Sequence, residues 1–272
     1  MGHDIFKDLQ QELWRCGFAA GGAAAVETLR WFRATDLQID NKLDGAFDPV
    51  TQGDRAAELA MRGVIERLRP DDGILGEEHG AKPSQSGLTW VLDPIDGTRG
   101  FMSGTPTWGT LIALCDNDGP VLGVVDQPYI GERFYGGFGA AHLIYRDAPP
   151  RPIHTRATKT LSDAILFTTF PEVGTNHDRA GFQAVAGQVK QVRYGMDCYA
   201  YALLAAGQID LVIEAGLQSY DIAAPAALVQ AAGGIATNWA GGPCHHGGQV
   251  ICAANADIHA QALNLLGEFA DD

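Results

Sequence analysis

Basic residues are scarce in this chain: 19 lysines and arginines face 33 aspartates and glutamates, for a formal charge of −14. A nucleic-acid partner needs a basic footprint, so a DNA- or RNA-binding role is disfavoured. Acidity does not exclude a small anionic ligand, because bound cations can reverse the field locally. Paired cysteines are lacking as well. Cys16, Cys115, Cys198, Cys244 and Cys252 make an odd number, and no C-x-x-C pair occurs. That usage suits a reducing compartment better than a disulfide framework. No basic segment followed by an apolar stretch opens the chain, and no apolar run reaches the length of a bilayer span. The expectation is a cytoplasmic protein without membrane contact. Internal repeats and low-complexity segments are missing too. With 46% hydrophobic residues among 272, the composition is that of a folded globular protein with one large domain or two modest ones.

What stands out instead is Trp90-Val-Leu-Asp-Pro-Ile-Asp-Gly-Thr98. Apolar Leu88, Val91 and Leu92 read as a buried strand, with Asp93 at its end and Pro94 stopping ladder pairing. Gly97 permits a close turn, and Thr98 is placed to cap a following helix. Two carboxylates three residues apart on such a turn repel each other unless a cation lies between them. The pattern suits a hard, oxygen-loving ion such as Mg²⁺. Amides at the start of a helix would offer donors to a phosphate, so the turn points to phosphoryl transfer or phosphate hydrolysis.

Around this turn the chain reads as mixed α/β. Helical spacing covers residues 6–32, with Leu9, Leu13, Trp14, Leu29 and Trp31 as expected buried positions. Gly21 and Gly22 leave open one kinked helix or two pieces. A second helix is expected after Asp54, burying Leu59, Val64, Ile65 and Leu68 and ending at Pro70. Strand-like runs follow at 88–92, 110–115, 121–125 and 133–135, with a hairpin turn at Asp116-Asn-Asp-Gly119. The proline-containing stretch Arg146–Thr155 is the expected boundary between an N-terminal unit, 1–150, and a C-terminal unit, 151–272. Beyond it, strands are expected at 164–168, 211–214 and 249–253, and helices near 178–189, 199–206, 222–232 and 258–266.

Three more acidic places can serve the turn. Asp54 lies at a helix start after Asp48-Pro-Val-Thr51, Glu77 follows the apolar pair Ile74–Leu75 in Gly76-Glu-Glu78, and Asp221 precedes a helical run ending in Ala231-Ala-Gly-Gly234. Taken singly, Asp54 and Asp221 read as helix N-caps and Glu77 as a loop residue. Their order along the chain, from about Lys42 to Asn255, resembles the inositol monophosphatase superfamily of Mg²⁺-dependent, lithium-sensitive phosphatases. The resemblance implies a layered αβαβα sandwich, commonly dimeric, with two or three Mg²⁺ ions per site. It implies Glu77, Asp93, the Ile95 carbonyl, Asp96 and Asp221 as metal ligands, with Asp54 supporting Glu77 or a third ion. Thr98, backed by Glu77 or Asp54, would take the proton of an attacking water. The amides of Gly97 and Thr98 would hold the phosphate.

Two features lean toward the histidinol-phosphatase branch of that superfamily. One is Gly123-Val-Val-Asp-Gln-Pro128 with Gly131-Glu-Arg-Phe134; the other is Gly195-Met-Asp-Cys-Tyr-Ala-Tyr201. The second motif puts Asp197 where inositol phosphatases usually carry a small residue, and a carboxylate there would anchor the ammonium group of histidinol phosphate. Its plainer reading is a helix N-cap. Glu214 would face the substrate in either branch. The alternatives are an inositol-1-phosphate or broader sugar-phosphate phosphatase, and a superfamily member acting mainly as an interaction protein. Gly137-Phe-Gly139 reads as a turn, Cys244-His245-His246 lacks a partner cluster for zinc, and Met196, Tyr199 and Tyr201 read as packing.

Overall fold

Strand side chains alternate between faces, so a strand with apolar residues on both faces must be covered twice. In this chain that demand produces five layers. The computed structural model describes residues 2–41 and 49–271, so Lys42 and Asp48 of the first acidic block lie outside the described residues. In chain order the elements are α1 (Gly2–Trp31), β1 (Ile39–Asn41), β2 (Pro49–Thr51), α2 (Gln52–Leu68), β3 (Gly73–Gly76), β4 (Thr89–Asp96) and α3 (Thr98–Ser103). Next come β5 (Gly109–Cys115), β6 (Pro120–Gln127), β7 (Glu132–Gly137), β8 (Ala140–Tyr145), β9 (Arg151–Pro152), β10 (Ile165–Thr168), α4 (Asn176–Ala186) and β11 (Gln191–Tyr194). The chain closes with α5 (Cys198–Ala205), β12 (Leu211–Gln218), α6 (Ser219–Ala231), β13 (Ile235–Thr237), β14 (Gly247–Ala253) and α7 (Ala256–Leu266).

A seven-stranded sheet runs β3-β4-β5-β6-β7-β8-β9, and a five-stranded sheet runs β11-β10-β12-β14-β13. In the first, only β3 and β4 are parallel; β4 through β9 form antiparallel neighbours. On β4, Trp90 and Leu92 pack with Leu13, Ala20 and Ala24 of α1 and with Met61 and Ile65 of α2. Val91, from the opposite face, joins Ala202 and Leu204 of α5, Ile222 and Leu228 of α6, and Val212 and Val250 of the second sheet. The outer face of that second sheet, with Leu211, Ile213 and Ile251, is covered by Phe182 and Val185 of α4 and by Ile258 and Leu266 of α7. Helices, sheet, helices, sheet, helices: this is the αβαβα sandwich, with α5 and α6 as its middle layer.

Several local expectations change. The first helix is continuous through Gly21 and Gly22. It buries Leu13 but leaves Leu9 at 38% and Leu29 at 42% exposure, while Trp14 and Trp31 are half-buried. The buried face carries Cys16, Gly17, Ala20, Gly21, Ala24 and Thr28, with Gly17 and Gly21 against the sheet. Small side chains let the helix approach closely; a Cβ on Gly17 would already touch Trp90 at 3.6 Å. In α2, Leu59 is exposed and Glu58 is fully buried in its stead. Pro94 does not end β4: pairing with β5 resumes at Asp96 opposite Gly109 after an irregularity that begins at Asp93. The hairpin at Asp116–Gly119 joins β5 to β6 in antiparallel register, as the turn residues demand.

Candidate active site

The irregularity in β4 is where the chemistry collects. Asp93 Oδ1 accepts the Ile95 amide at 3.0 Å, a local bond that lifts the strand out of its ladder. Gly97 then turns with φ 84° and serves as the N-cap of α3. The expected cap, Thr98, does not cap. Its hydroxyl donates to the Ile95 carbonyl at 3.1 Å and stands 3.5 Å from Asp54 Oδ1.

Asp54 is not an N-cap either. It is the third residue of α2, where its Oδ2 accepts the Thr51 amide at 2.9 Å while the Thr51 hydroxyl caps the helix from the other side. Burial pushes its carboxyl up to about 7, against the bonds from Thr51 and with help from the charges of Glu78 and Glu77. Asp221 occupies the same third position in α6, with Oδ2 accepting the Gln218 amide at 2.6 Å.

Glu77 follows β3 and is positioned by a residue the sequence pattern did not mark. The buried carboxylate of Glu58 accepts the amides of Glu78 at 2.7 Å and His79 at 3.2 Å, and pairs with Arg62 at 2.7 Å. Gly76 lies so close that a Cβ there would overlap Glu58. Only its exact neighbourhood could reveal this, because a glutamate four residues ahead of an arginine reads as an exposed helical pair.

Oxygen atoms of Asp93, Asp96 and Asp221 lie within 4.8 Å of one another, and among the described residues no other such group of three or more acids, histidines or cysteines occurs. Burial raises the Asp93 carboxyl well above its ordinary range, and the charges of Glu77, Asp96 and Asp221 raise it further. Asp96 is raised by burial and by Asp197 and Asp221, even though the Cys198 amide donates to its Oδ2 at 2.6 Å. All-oxygen donors this close and mutually repelling fit a hard divalent cation.

A cavity of about 300 Å³ opens over this cluster. It is lined by Glu77, Asp93, Ile95, Asp96, Gly97, Thr98, Asp197, Glu214 and Asp221, so it brings together every candidate except Asp54, which stands behind Thr98. Asp197 holds the N-cap position of α5 but its side chain makes no capping bond. Its backbone has φ 46°, uncommon outside glycine, and its Oδ2 meets the Thr107 hydroxyl at 3.4 Å. A side chain at Gly97 would strike the Asp197 carboxylate, so turn and carboxylate are built against each other. Burial pushes Asp197 up to about 6, opposed by Thr107 and by the charge of Arg99. Glu214, on β12, accepts the Thr169 amide at 2.8 Å and the Thr169 hydroxyl at 2.9 Å, and burial pushes it up to about 7. Arg99 stacks over the exposed ring of Phe170 at 5.0 Å, bridging α3 and the segment after β10 at the cavity wall. Tyr201, expected to be packing, also lines the cavity.

With this geometry in view, residues 10–269 match the sequence model of the inositol monophosphatase family. The chain belongs to the inositol monophosphatase family. Membership makes it a metal-dependent phosphatase, in agreement with the acid cluster above the β4 turn. It is 39% identical over 264 residues to a chloroplastic bifunctional phosphatase of Arabidopsis thaliana, covering 92% of this chain and 75% of that one. It is 36% identical over 237 residues to the histidinol-phosphatase of Mycobacterium tuberculosis, covering 86% and 90%. A solved inositol monophosphatase from Zymomonas mobilis is 38% identical, covers 93% of this chain and 96% of its own, and superposes with a TM-score of 0.81. Among the described residues, no helix is long and apolar enough to cross a membrane.

Proposed function

We propose that this family member hydrolyses histidinol phosphate to histidinol and inorganic phosphate with Mg²⁺ as its cation. Asp197 carries the substrate choice. Its carboxylate is wedged between the Gly97 turn and Thr107 on a backbone that costs about 1–3 kcal/mol to hold. An ammonium group beside the phosphoryl end would compensate both the burial and the charge. The kinship with the mycobacterial histidinol-phosphatase supports the same reading.

Glu77, Asp93, the Ile95 carbonyl, Asp96 and Asp221 are the residues to hold two or three ions. Bound there, the ions would supply Lewis acidity and neutralise the cluster. The chain's own groups do the rest. Thr98 takes a proton from the attacking water and passes it toward Asp54, whose Oδ1 stands 3.5 Å from the Thr98 hydroxyl. The amides of Gly97 and Thr98 hold the phosphoryl oxygens. The water oxygen forms the new bond to phosphorus as the ester oxygen leaves with its electron pair, and no phosphoenzyme forms. Lithium inhibition and a homodimer accompany this reading by family resemblance.

The second reading is an inositol-1-phosphate or broader sugar-phosphate phosphatase. Glu214 is compatible with it, since a carboxylate accepts hydrogen bonds from sugar hydroxyls as well as from an amine or imidazole. The deciding experiment is phosphate release with Mg²⁺ from histidinol phosphate, inositol 1-phosphate and sugar phosphates, beside rescue of a histidine-requiring strain. Preferential turnover of histidinol phosphate and rescue are expected; much faster cleavage of inositol phosphate would make the second reading the right one.

A further inference from the structure

Four buried side-chain polar atoms among the described residues have no hydrogen-bond partner: Trp108 Nε1, Thr168 Oγ1, the Tyr201 hydroxyl and Asp210 Oδ1. Of the four residues, Tyr201 alone lines the cavity. Its ring is only 3% exposed and belongs to the core between the two sheets. It stands one turn along α5 from Cys198, whose amide is fixed on Asp96, so the start of the helix that carries it is pinned. Glu214 lines the same cavity, and its charge acts on the phenol. Burial raises the phenol well above 10, so it is a neutral donor throughout the physiological range.

A buried hydroxyl without a partner is disfavoured, and buried polar groups are ordinarily satisfied. Tyr201 brings such a hydroxyl to the residues of the cavity wall, a group awaiting its partner. We infer that Tyr201 and Glu214 together form the imidazole-binding end of the pocket, a specificity element for the substrate proposed above and dependent on that reading. The chemistry is complementary. Glu214 Oε1 is occupied by Thr169, and in its ionised form the carboxylate only accepts. The Tyr201 hydroxyl donates. A neutral imidazole carries one N–H and one lone-pair nitrogen on a rigid ring, so its N–H pairs with Glu214 while its other nitrogen accepts from Tyr201. With Asp197 on the ammonium group, the two ends of the organic part are read by different elements of the fold.

The test is Tyr201→Phe, which removes one oxygen and keeps the ring. Steady-state kinetics with Mg²⁺ on histidinol phosphate and on phenyl phosphate, which has no ring nitrogen, are measured beside the melting temperature. The ratio of the two kcat/KM values should fall about 10-fold, mainly through KM for histidinol phosphate, because an imidazole nitrogen loses its donor. The melting temperature should stay at or above that of the wild type, because an unsatisfied hydroxyl has been deleted. An unchanged ratio would overturn the inference. So would a melting temperature lowered by several degrees, which would show a structural partner for the hydroxyl. Wild-type protein that splits phenyl phosphate but ignores histidinol phosphate would instead overturn the substrate reading, and this socket with it.

Discussion

Two helices of this protein begin in the same way, and only one of them touches the chemistry. At α2, Thr51 caps the helix and Asp54 returns a bond to the Thr51 amide; at α4, Thr175 caps and Asp178 returns a bond to the Thr175 amide at 2.7 Å. The two caps differ in what meets the second carboxylate oxygen. Asp178 Oδ1 accepts the Gln249 side chain at 2.6 Å. Asp54 Oδ1 looks onto the Thr98 hydroxyl at 3.5 Å. Burial alone would raise Asp178, but the bonds from Gln249 and Thr175 outweigh it and hold the carboxyl below its ordinary 3.8. Asp54, buried near two glutamates, is driven to about 7. A capping acid is structural by default, and its outward oxygen decides whether it has a second task.

The sharpest way to break the picture lies just beyond Asp54. Asp93→Asn should lower kcat/KM by about 10³-fold on every ester, because the cluster loses a buried ligand; phosphate release across a Mg²⁺ titration measures it, and substantial residual activity would dissolve the assignment of Asp93 as a metal ligand. Next comes the direct contrast between the caps. Asp54→Asn should lower kcat about 10²-fold, the size of a lost proton acceptor. Asp178→Asn should leave kcat within about twofold while lowering stability by ~1 kcal/mol in denaturant unfolding. Equal catalytic losses would erase the distinction. Smaller again, Asp197→Asn should lower the preference for histidinol phosphate over phenyl phosphate about 10-fold, read from the ratio of kcat/KM values.

The mildest effect is on stability against pH in chelated protein, where the two caps act with opposite sign. A carboxyl lowered on folding contributes stability above its ordinary value and loses it as the pH falls through the folded value; that is Asp178. A carboxyl raised on folding contributes most below its ordinary value and loses that contribution as the pH rises through the folded value. Asp54, from 3.8 to about 7, and Glu214, from 4.5 to about 7, are of this kind. The melting temperature in chelator should therefore decline from about pH 4 to about pH 7. Asp54→Asn should flatten part of that decline, whereas Asp178→Asn should leave its slope in place.

The same contrast explains what could be read before any coordinates. The turn from Asp93 to Thr98 was legible because its chemistry is local: two carboxylates, a proline, a glycine and a hydroxyl within six positions. Asp54, Glu77 and Asp221 were legible through their resemblance to a family pattern, and taken singly they looked like caps and a loop. The layering was not derivable from periodicity. Alternating runs announce strands, but not that α5 and α6 would lie between two sheets. Reading buried faces from large apolar residues failed on α1, where Leu9 and Leu29 face outward and glycine and alanine make the close contact with the sheet. Glu58 and Tyr201 escaped for the same reason. Each takes its meaning from residues outside its own helix, the loop at Glu78 for one and the cavity it shares with Glu214 for the other.

One bond described above reaches further than its length. The amide of Cys198 on Asp96 joins residues 102 positions apart, from the rim of the seven-stranded sheet to the first turn of the middle layer. A cation gathered by Asp93, Asp96 and Asp221 would also tie β4 to α6, because Asp221 belongs to that middle layer. The sandwich would then be riveted at a point whose strength depends on what the surrounding solution supplies. Free cation concentration should act on the cohesion of the whole molecule as mass action dictates, adding stability with the logarithm of the concentration above Kd rather than with any change in packing.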